Sequence, residues 1–156
     1  MPPWQPMAAM LRQRPRARPP AAWIRRAIRP RRPSAEKGSL KSPYRDNYES
    51  VAEEGHKKFM AAGCNGCHGG TGGGGMGPPL SNEVWIYGND GDTLFRLIAL
   101  GSDGLKEQGY VRKGSENVVG PMPPHGGIVK SNDDMWKIIA WIWSINPPDK
   151  KAASAQ

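Results

Sequence analysis

The stretch Cys64-Asn65-Gly66-Cys67-His68 decides how this 156-residue chain is interpreted. It holds both cysteines of the sequence, and one of the three histidines follows the second cysteine directly. Just upstream, Val51, Gly55 and Phe59 recur at the spacing of one helical face, which predicts a helix over residues 47–62. The cysteines and the histidine therefore follow directly on an amphipathic helix.

A C-x-x-C-H run is typical of the covalent attachment of a c-type haem. Cys64 and Cys67 would each form a thioether with one porphyrin vinyl group, and two intervening residues span the two vinyl positions. His68 would then supply the proximal nitrogen ligand of the iron. Two alternatives stay open: a thiol redox pair, which usually lies in a βαβ context, and a zinc site, which needs a second pair of ligands.

The region after the motif predicts a loop and then a short helix. Residues 63–79 contain nine glycines and two prolines, a composition that predicts a loop. Asp90 or Asp92 can cap a helix over residues 93–100, and Gly101 is expected to end it. Each of these boundaries rests on a residue type that favours a helix terminus.

The clearest helix lies near the end of the chain. Ser131, with Asp134 three residues later, resembles a capping box, and Pro147-Pro148 ends the helix. Its apolar positions form a wide stripe, so we expect it to be largely buried. Residues 101–130 show no sustained period and are predicted to be a long connection that wraps around something. Three helices and no convincing strand predict an all-α domain.

The basic charge of the chain is confined to one end. Nine of the 22 basic residues lie before residue 36, where there is no acidic residue, whereas residues 36–156 hold 13 basic and 14 acidic residues. Segment 1–43 is also rich in proline and is interpreted as a disordered arm or a mis-annotated leader. A domain over residues 44–149 and a flexible tail over 150–156 follow. A nucleic-acid-binding arm or a mitochondrial leader is the alternative for the first segment.

A sixth iron ligand is sought among the methionines. Met122 lies in Gly120-Pro121-Met122-Pro123-Pro124, where flanking prolines restrict the backbone and lower the cost of ordering the loop. Met76 is only eight residues after His68 and is expected to reach the haem rim at most. His125 is the rival ligand, and an open sixth position is the third alternative. We predict Met122 as the axial ligand, with His68 opposite.

These residues resemble the class I c-type cytochromes. In that family a helix that ends in C-x-x-C-H crosses a C-terminal helix, and a late loop brings the methionine. The resemblance implies that Gly55 and Phe59 contact Trp141 or Trp143 on the last helix. It also implies that the carbonyl of Pro78, in the similar segment Gly77-Pro78-Pro79-Leu80, accepts a hydrogen bond from the His68 ring. The expected fold is a small one, with three or more helices wrapped around one covalently bound haem c.

A narrower set of segments is similar to cytochrome cL and its relatives. These segments are Trp85-Ile86-Tyr87-Gly88, the helix after Asp92, and Gly120-Pro121-Met122. Cytochrome cL is a periplasmic electron acceptor of quinoprotein alcohol dehydrogenases. The resemblance implies a one-electron carrier without substrate turnover, whose donor is such a dehydrogenase and whose acceptor is a cytochrome or a terminal oxidase. Trp85 and Tyr87 are candidates for hydrogen bonds to the haem propionates.

The remaining expectations concern location and partners. Haem is attached to C-x-x-C-H outside the bacterial cytoplasm, so the domain is expected in the periplasm although no export signal is recognisable. No apolar run reaches 18 residues, so no stable membrane insertion is expected, nor is nucleic acid as a partner. We expect a monomer or a transient complex. The alternative function is a haem subunit, a ligand sensor or a peroxidase-like protein with an open sixth position.

Overall fold

A computed structural model of the protein describes residues 34–148, and no strand occurs within this part of the chain. The predicted all-α fold is confirmed. Among residues 34–148 a 3-10 turn comes first, and four α-helices follow it. Their bounds are Tyr48–Val51 for the 3-10 turn, Ala52–Ala61 for α1, Asn65–His68 for α2, Gly91–Glu107 for α3 and Asn132–Ile145 for α4.

Helix α1 crosses α4 at a glycine. A Cβ atom on Gly55 would lie 1.9 Å from the carbonyl oxygen of Lys137 and 3.0 Å from the Cβ of Trp141, so only glycine permits this close approach. One turn later, the ring of Phe59 packs on Trp141 with a centroid distance of 4.4 Å. The expected contact of Gly55 and Phe59 with the last helix is therefore present, and Trp141 is the partner.

Helix α4 forms the centre of the core. Its first turn is capped by the hydroxyl of Ser131, which accepts a hydrogen bond from the backbone N–H of Asp134 at 3.0 Å. The helix is apolar on most of its circumference, and eight of its side chains are buried. These are Met135, Trp136, Ile138, Ile139, Ala140, Trp141, Ile142 and Trp143. Burial on this scale is the main source of stability for a helix of this length.

Helix α3 is longer than the sequence indicated. Asp90 caps it by accepting a hydrogen bond from the Thr93 N–H, as predicted, but the helix resumes after Gly101 and continues to Glu107. Gly101 adopts a φ of 72° and a ψ of 176°, which breaks the helix without ending it. The prediction of a long irregular connection from residue 101 was therefore wrong for its first seven residues. Leu105 explains the continuation, because this side chain is completely buried.

The segment before the first turn is bound to α3. The guanidinium of Arg96 donates hydrogen bonds to the carbonyl oxygens of Ala35 and Glu36 at 2.8 and 2.7 Å. The N–H of Leu40 donates to the carboxylate of Asp92 at 3.0 Å. The disordered arm predicted over residues 1–43 is thus wrong for 35–40.

The rest of that predicted arm, residues 1–33, lies outside the described residues. So do Asp149 and the predicted tail 150–156. No helix within residues 34–148 is both long enough and apolar enough to cross a bilayer.

Candidate cofactor site

The C-x-x-C-H motif lies on a single helical turn that follows α1. The Cys64 N–H donates to the carbonyl oxygen of Phe59 at 3.2 Å, and the His68 N–H donates to the carbonyl oxygen of Cys64 at 3.0 Å. This turn places Cys64, Cys67 and His68 on the wall of one cavity. No disulfide joins the two cysteines, and Cys64 is buried whereas Cys67 is half-buried. Burial raises the pKa of Cys64 to about 11, so the thiol is protonated at neutral pH.

The ring of His68 is held in one tautomer. Its Nδ1 lies 2.8 Å from the carbonyl oxygen of Pro78, and because a carbonyl can only accept, Nδ1 carries the proton. Burial lowers the pKa of His68, although the hydrogen bond to Pro78 opposes this effect. The ring is therefore neutral at physiological pH, and its Nε2 lone pair is available to a metal ion. The predicted hydrogen bond of the Pro78 carbonyl is confirmed.

The glycine loop allows the chain to pass close to this turn. A Cβ on Gly77 would lie 3.1 Å from Cε1 of His68, and a Cβ on Gly75 would lie 2.9 Å from the carbonyl oxygen of Cys67. The Gly77 N–H also donates to that oxygen at 2.9 Å. The glycines therefore bring the Pro78 carbonyl to the histidine, since larger residues would not fit against the motif.

One large cavity lies between these elements and the two long helices. Its volume is about 760 Å³, within the range of about 300–1,000 Å³ usual for small-molecule and cofactor sites. Its apolar wall includes Leu94 and Ile98 from α3 and Ile138 and Ile142 from α4. The same cavity is lined by all four predicted site residues, which are Cys64, Cys67, His68 and Met122.

The loop with Met122 forms another part of the wall. Met122 is half-buried and packs against the main core. His125 also lines the cavity, and its Nδ1 faces the carbonyl oxygen of Pro123 at 2.9 Å. Met76 reaches the cavity from the glycine loop but is 56% exposed. Both candidate sixth ligands named from the sequence, Met122 and His125, are therefore at the cavity.

A buried donor without a partner also belongs to this cavity. The indole Nε1 of Trp85 is buried and makes no hydrogen bond to any described residue. An unpaired buried N–H costs about 1–3 kcal/mol, so such a group usually has a ligand or water as partner. Trp85 and Tyr87 both line the cavity. An acceptor group on a bound molecule, such as a carboxylate, would satisfy the Trp85 donor.

Two groups at the site were missed at the level of sequence. Arg112 lines the same cavity as Trp85, and the N–H of the next residue, Lys113, donates to the carbonyl oxygen of Ile86 at 2.6 Å. Ser102 bonds to the Met122 loop. Neither Arg112 nor Ser102 belongs to a motif, so only the fold reveals them. No group of three or more His, Cys, Asp or Glu between residues 34 and 148 is arranged to hold a metal ion by itself.

The chemistry of the cavity fits haem. Two thiols and a neutral imidazole lie on one turn, the wall is mostly apolar, and an indole N–H is available for a carboxylate. An all-helical domain with these groups on the wall of one cavity has the features of a c-type cytochrome. The sequence profile described as cytochrome c matches residues 52–146, and the chain belongs to the cytochrome c family. Searches of curated proteins and of solved structures gave no significant match.

Membership of this family establishes several points. The family binds covalently attached haem c, and the small class I cytochrome c fold is confirmed by the profile and by the helical architecture. The chain is a haem-based electron carrier with redox proteins as partners. Proteins of this family typically transfer electrons rather than turn over a substrate.

Proposed function

We propose that the protein is a periplasmic one-electron carrier whose haem iron is ligated by His68 and Met122. Cys64 and Cys67 would hold the haem through thioether bonds. The observation that carries this proposal is that all four side chains line a single cavity of about 760 Å³. The four residues come from two chain regions 54 residues apart, and the fold brings them together.

The residues around the iron position have distinct tasks. When bound, haem supplies a one-electron couple between ferric and ferrous iron. The Pro78 carbonyl orients His68 and keeps the proton on Nδ1, which leaves Nε2 as the ligand atom. The neutral sulfur of Met122 favours the ferrous state and raises the reduction potential relative to a second histidine. Apolar wall residues exclude water and act in the same direction, because the oxidised site carries the extra positive charge.

We propose that the haem propionates lie at Trp85. The buried indole N–H has no other partner among the described residues, and a propionate carboxylate would satisfy it. Arg112 lines the same cavity and offers a compensating positive charge. Tyr87 is buried at 5% exposure and is the second candidate donor.

The donor and the compartment are inferred from the sequence. The likeness of residues 85–88 and 120–122 to cytochrome cL supports a quinoprotein alcohol dehydrogenase as donor, with a cytochrome or terminal oxidase as acceptor. Haem is attached to C-x-x-C-H outside the bacterial cytoplasm, which supports the periplasm as the compartment. Rapid mixing of the oxidised protein with a reduced quinoprotein alcohol dehydrogenase tests the donor. Haem reduction faster than dehydrogenase turnover is expected, and reduction slower than turnover would exclude it.

The axial ligation is tested by spectroscopy of the ferric holoprotein. A methionine ligand gives a low-spin spectrum with a weak far-red sulfur-to-iron charge-transfer band, and Met122→Ala is expected to abolish that band. Met76→Leu, in the same cavity, is the matched control and is expected to keep the band. A high-spin ferric spectrum in the unaltered protein would instead support an open sixth position. A band that survives Met122→Ala would refute the ligand assignment.

Covalent attachment and compartment are tested together by mass measurement. The intact mass of protein from a periplasmic extract is expected to equal that of a polypeptide plus one haem. Acid–acetone extraction is expected to leave the red colour on the polypeptide. Extraction that removes all the colour would contradict attachment through Cys64 and Cys67.

A further inference from the structure

The loop that carries Met122 packs against α3 at the break in this helix at Gly101. We infer that Ser102 positions Met122 as a ligand by fixing the backbone of this residue on both sides, an inference that rests on the proposed ligation. The hydroxyl oxygen of Ser102 accepts a hydrogen bond from the Met122 N–H, and the residue is only 9% exposed. It acts through Met122 and is a positioning residue.

Ser102 and Met122 are joined by two reciprocal hydrogen bonds. The Met122 N–H donates to the hydroxyl oxygen of Ser102 at 2.9 Å. The Ser102 N–H donates to the carbonyl oxygen of Met122, also at 2.9 Å. Both backbone polar groups of the candidate ligand are therefore bound to a single residue of α3.

The helix break makes these bonds available. In an uninterrupted helix the Ser102 N–H would donate to the carbonyl oxygen of Ile98. Because Gly101 turns the chain, that oxygen instead accepts from the His125 N–H at 2.8 Å. The carbonyl oxygen of Ala99 likewise accepts from the Gly126 N–H at 3.1 Å. The groups released by the break are thus satisfied by the loop.

Two glycines make this approach sterically feasible. A Cβ on Gly101 would lie 2.5 Å from the carbonyl oxygen of Met122, and a Cβ on Gly126 would lie 2.7 Å from that of Ala99. Gly101 also has a positive φ that other residues rarely adopt. The backbones of the loop and the helix can therefore approach each other closely enough for direct hydrogen bonds.

The composition of the loop makes Ser102 indispensable. In Pro121-Met122-Pro123-Pro124 the three prolines have no N–H group, so the Met122 N–H is the single backbone donor of these four residues. If the Ser102 hydroxyl were removed, this donor would lose its partner in a half-buried position. The methionine would then leave the iron more readily, because the loop would no longer be fixed next to its side chain.

The experiment measures how strongly Met122 competes with an added ligand. Imidazole is titrated into the ferric holoprotein, and its apparent dissociation constant is read from the loss of the far-red band. We expect Ser102→Ala to bind imidazole about five- to tenfold more tightly, the equilibrium effect of losing one hydrogen bond. Ser102→Thr retains the hydroxyl and is expected to restore the original value. Ser144→Ala, the control, removes a hydroxyl in α4 that donates to the carbonyl oxygen of Trp141 at 2.7 Å.

A double variant separates positioning from general loosening. In a Met122→Ala background, where titration follows the Soret band, Ser102→Ala is expected to have no further effect on imidazole affinity. An equal effect in both backgrounds, or an unchanged affinity in Ser102→Ala, would overturn the inference for Ser102. If Met122→Ala itself changed neither the far-red band nor the affinity, the proposed ligation would fail and the inference would fail with it.

A measurement on the unaltered protein covers the case in which Ser102→Ala does not fold. Hydrogen exchange of the Met122 amide is expected to be slowed at least tenfold relative to an exposed amide, since the donor is engaged. Exchange at the rate of an exposed amide would contradict the hydrogen bond to Ser102.

Discussion

The contact between α1 and α4 supports a quantitative prediction for Gly55→Ala. The new Cβ would lie 1.9 Å from the Lys137 carbonyl oxygen, whereas real contacts of this kind are not shorter than 3.0 Å. The helices must therefore separate by about 1 Å, and a gap of that size forfeits about a quarter to a half of each contact energy. Because the opposing atoms are backbone, they cannot rotate away. Overpacking of a core costs about 1–3 kcal/mol, and we expect about 3 kcal/mol here.

The assay is guanidinium unfolding of the ferric holoprotein, followed by far-UV circular dichroism. With a dependence of about 3 kcal/mol per molar denaturant, the midpoint should fall by about 1 M. Gly70→Ala is the matched control, since a Cβ there meets no atom within 4 Å. It should leave the stability unchanged or raise it by up to about 1 kcal/mol. A loss below about 1 kcal/mol for Gly55→Ala would show that the helices do not meet at this residue.

Three further predictions concern the buried hydrogen-bond network of Asp92, Arg96 and Tyr110. Burial alone would raise the pKa of Asp92, but hydrogen bonds from Tyr110, from backbone N–H groups and from Arg96 hold this pKa below 3.8. The stability that the ionised carboxylate gives the fold is therefore lost only as the pH falls through that lowered value. Asp92→Asn should cost about 3–5 kcal/mol at pH 7 by leaving the buried guanidinium of Arg96 without its carboxylate counter-ion. It should also weaken the acid dependence of unfolding. Burial raises the pKa of Tyr110 from 10.0 to about 12. The stability that the protonated hydroxyl contributes is therefore complete below pH 10.0 and is lost as the pH rises towards about 12. Tyr110→Phe should remove this alkaline loss of stability, measured by thermal melting at a series of pH values. Deletion of residues 1–40 should cost about 3 kcal/mol more than deletion of 1–33, measured by denaturant unfolding, because only the longer deletion removes the partners of Arg96.

Those parts of the fold that depend on local chemistry could be predicted from the sequence. The caps at Asp90 and Ser131 satisfy donors only three residues away, so residue type and spacing were sufficient. The tautomer of His68 followed from the family likeness, which pointed to the Pro78 carbonyl. In each case the partner lies within ten residues of the group that it serves.

The remaining features depend on contacts between distant residues. Gly101 carries the signature of a helix end, and only the burial of Leu105 shows why the helix resumes. The hydrogen bonds of Arg96 to residues 35 and 36 join positions 61 and 60 apart, and arginine in a helix does not by itself indicate a buried partner. Ser102 was not a candidate because a serine near a helix terminus has many ordinary roles.

The two halves of α3 are tied to each other across the break, which explains how a break can serve as a rigid support. The first half is fixed by the buried pair of Asp92 and Arg96, with side chains 4% and 2% exposed. The second half is fixed by Leu105, which packs in a cluster with Tyr87 and Tyr110. The Tyr110 hydroxyl donates to Asp92, and Arg96 donates to the side chain of Gln108 at 3.0 Å, so the two halves are also joined to each other and their relative position does not depend on the loop alone. A loop with a single backbone donor among four residues can therefore be positioned accurately, and its side chain is free to serve the cavity.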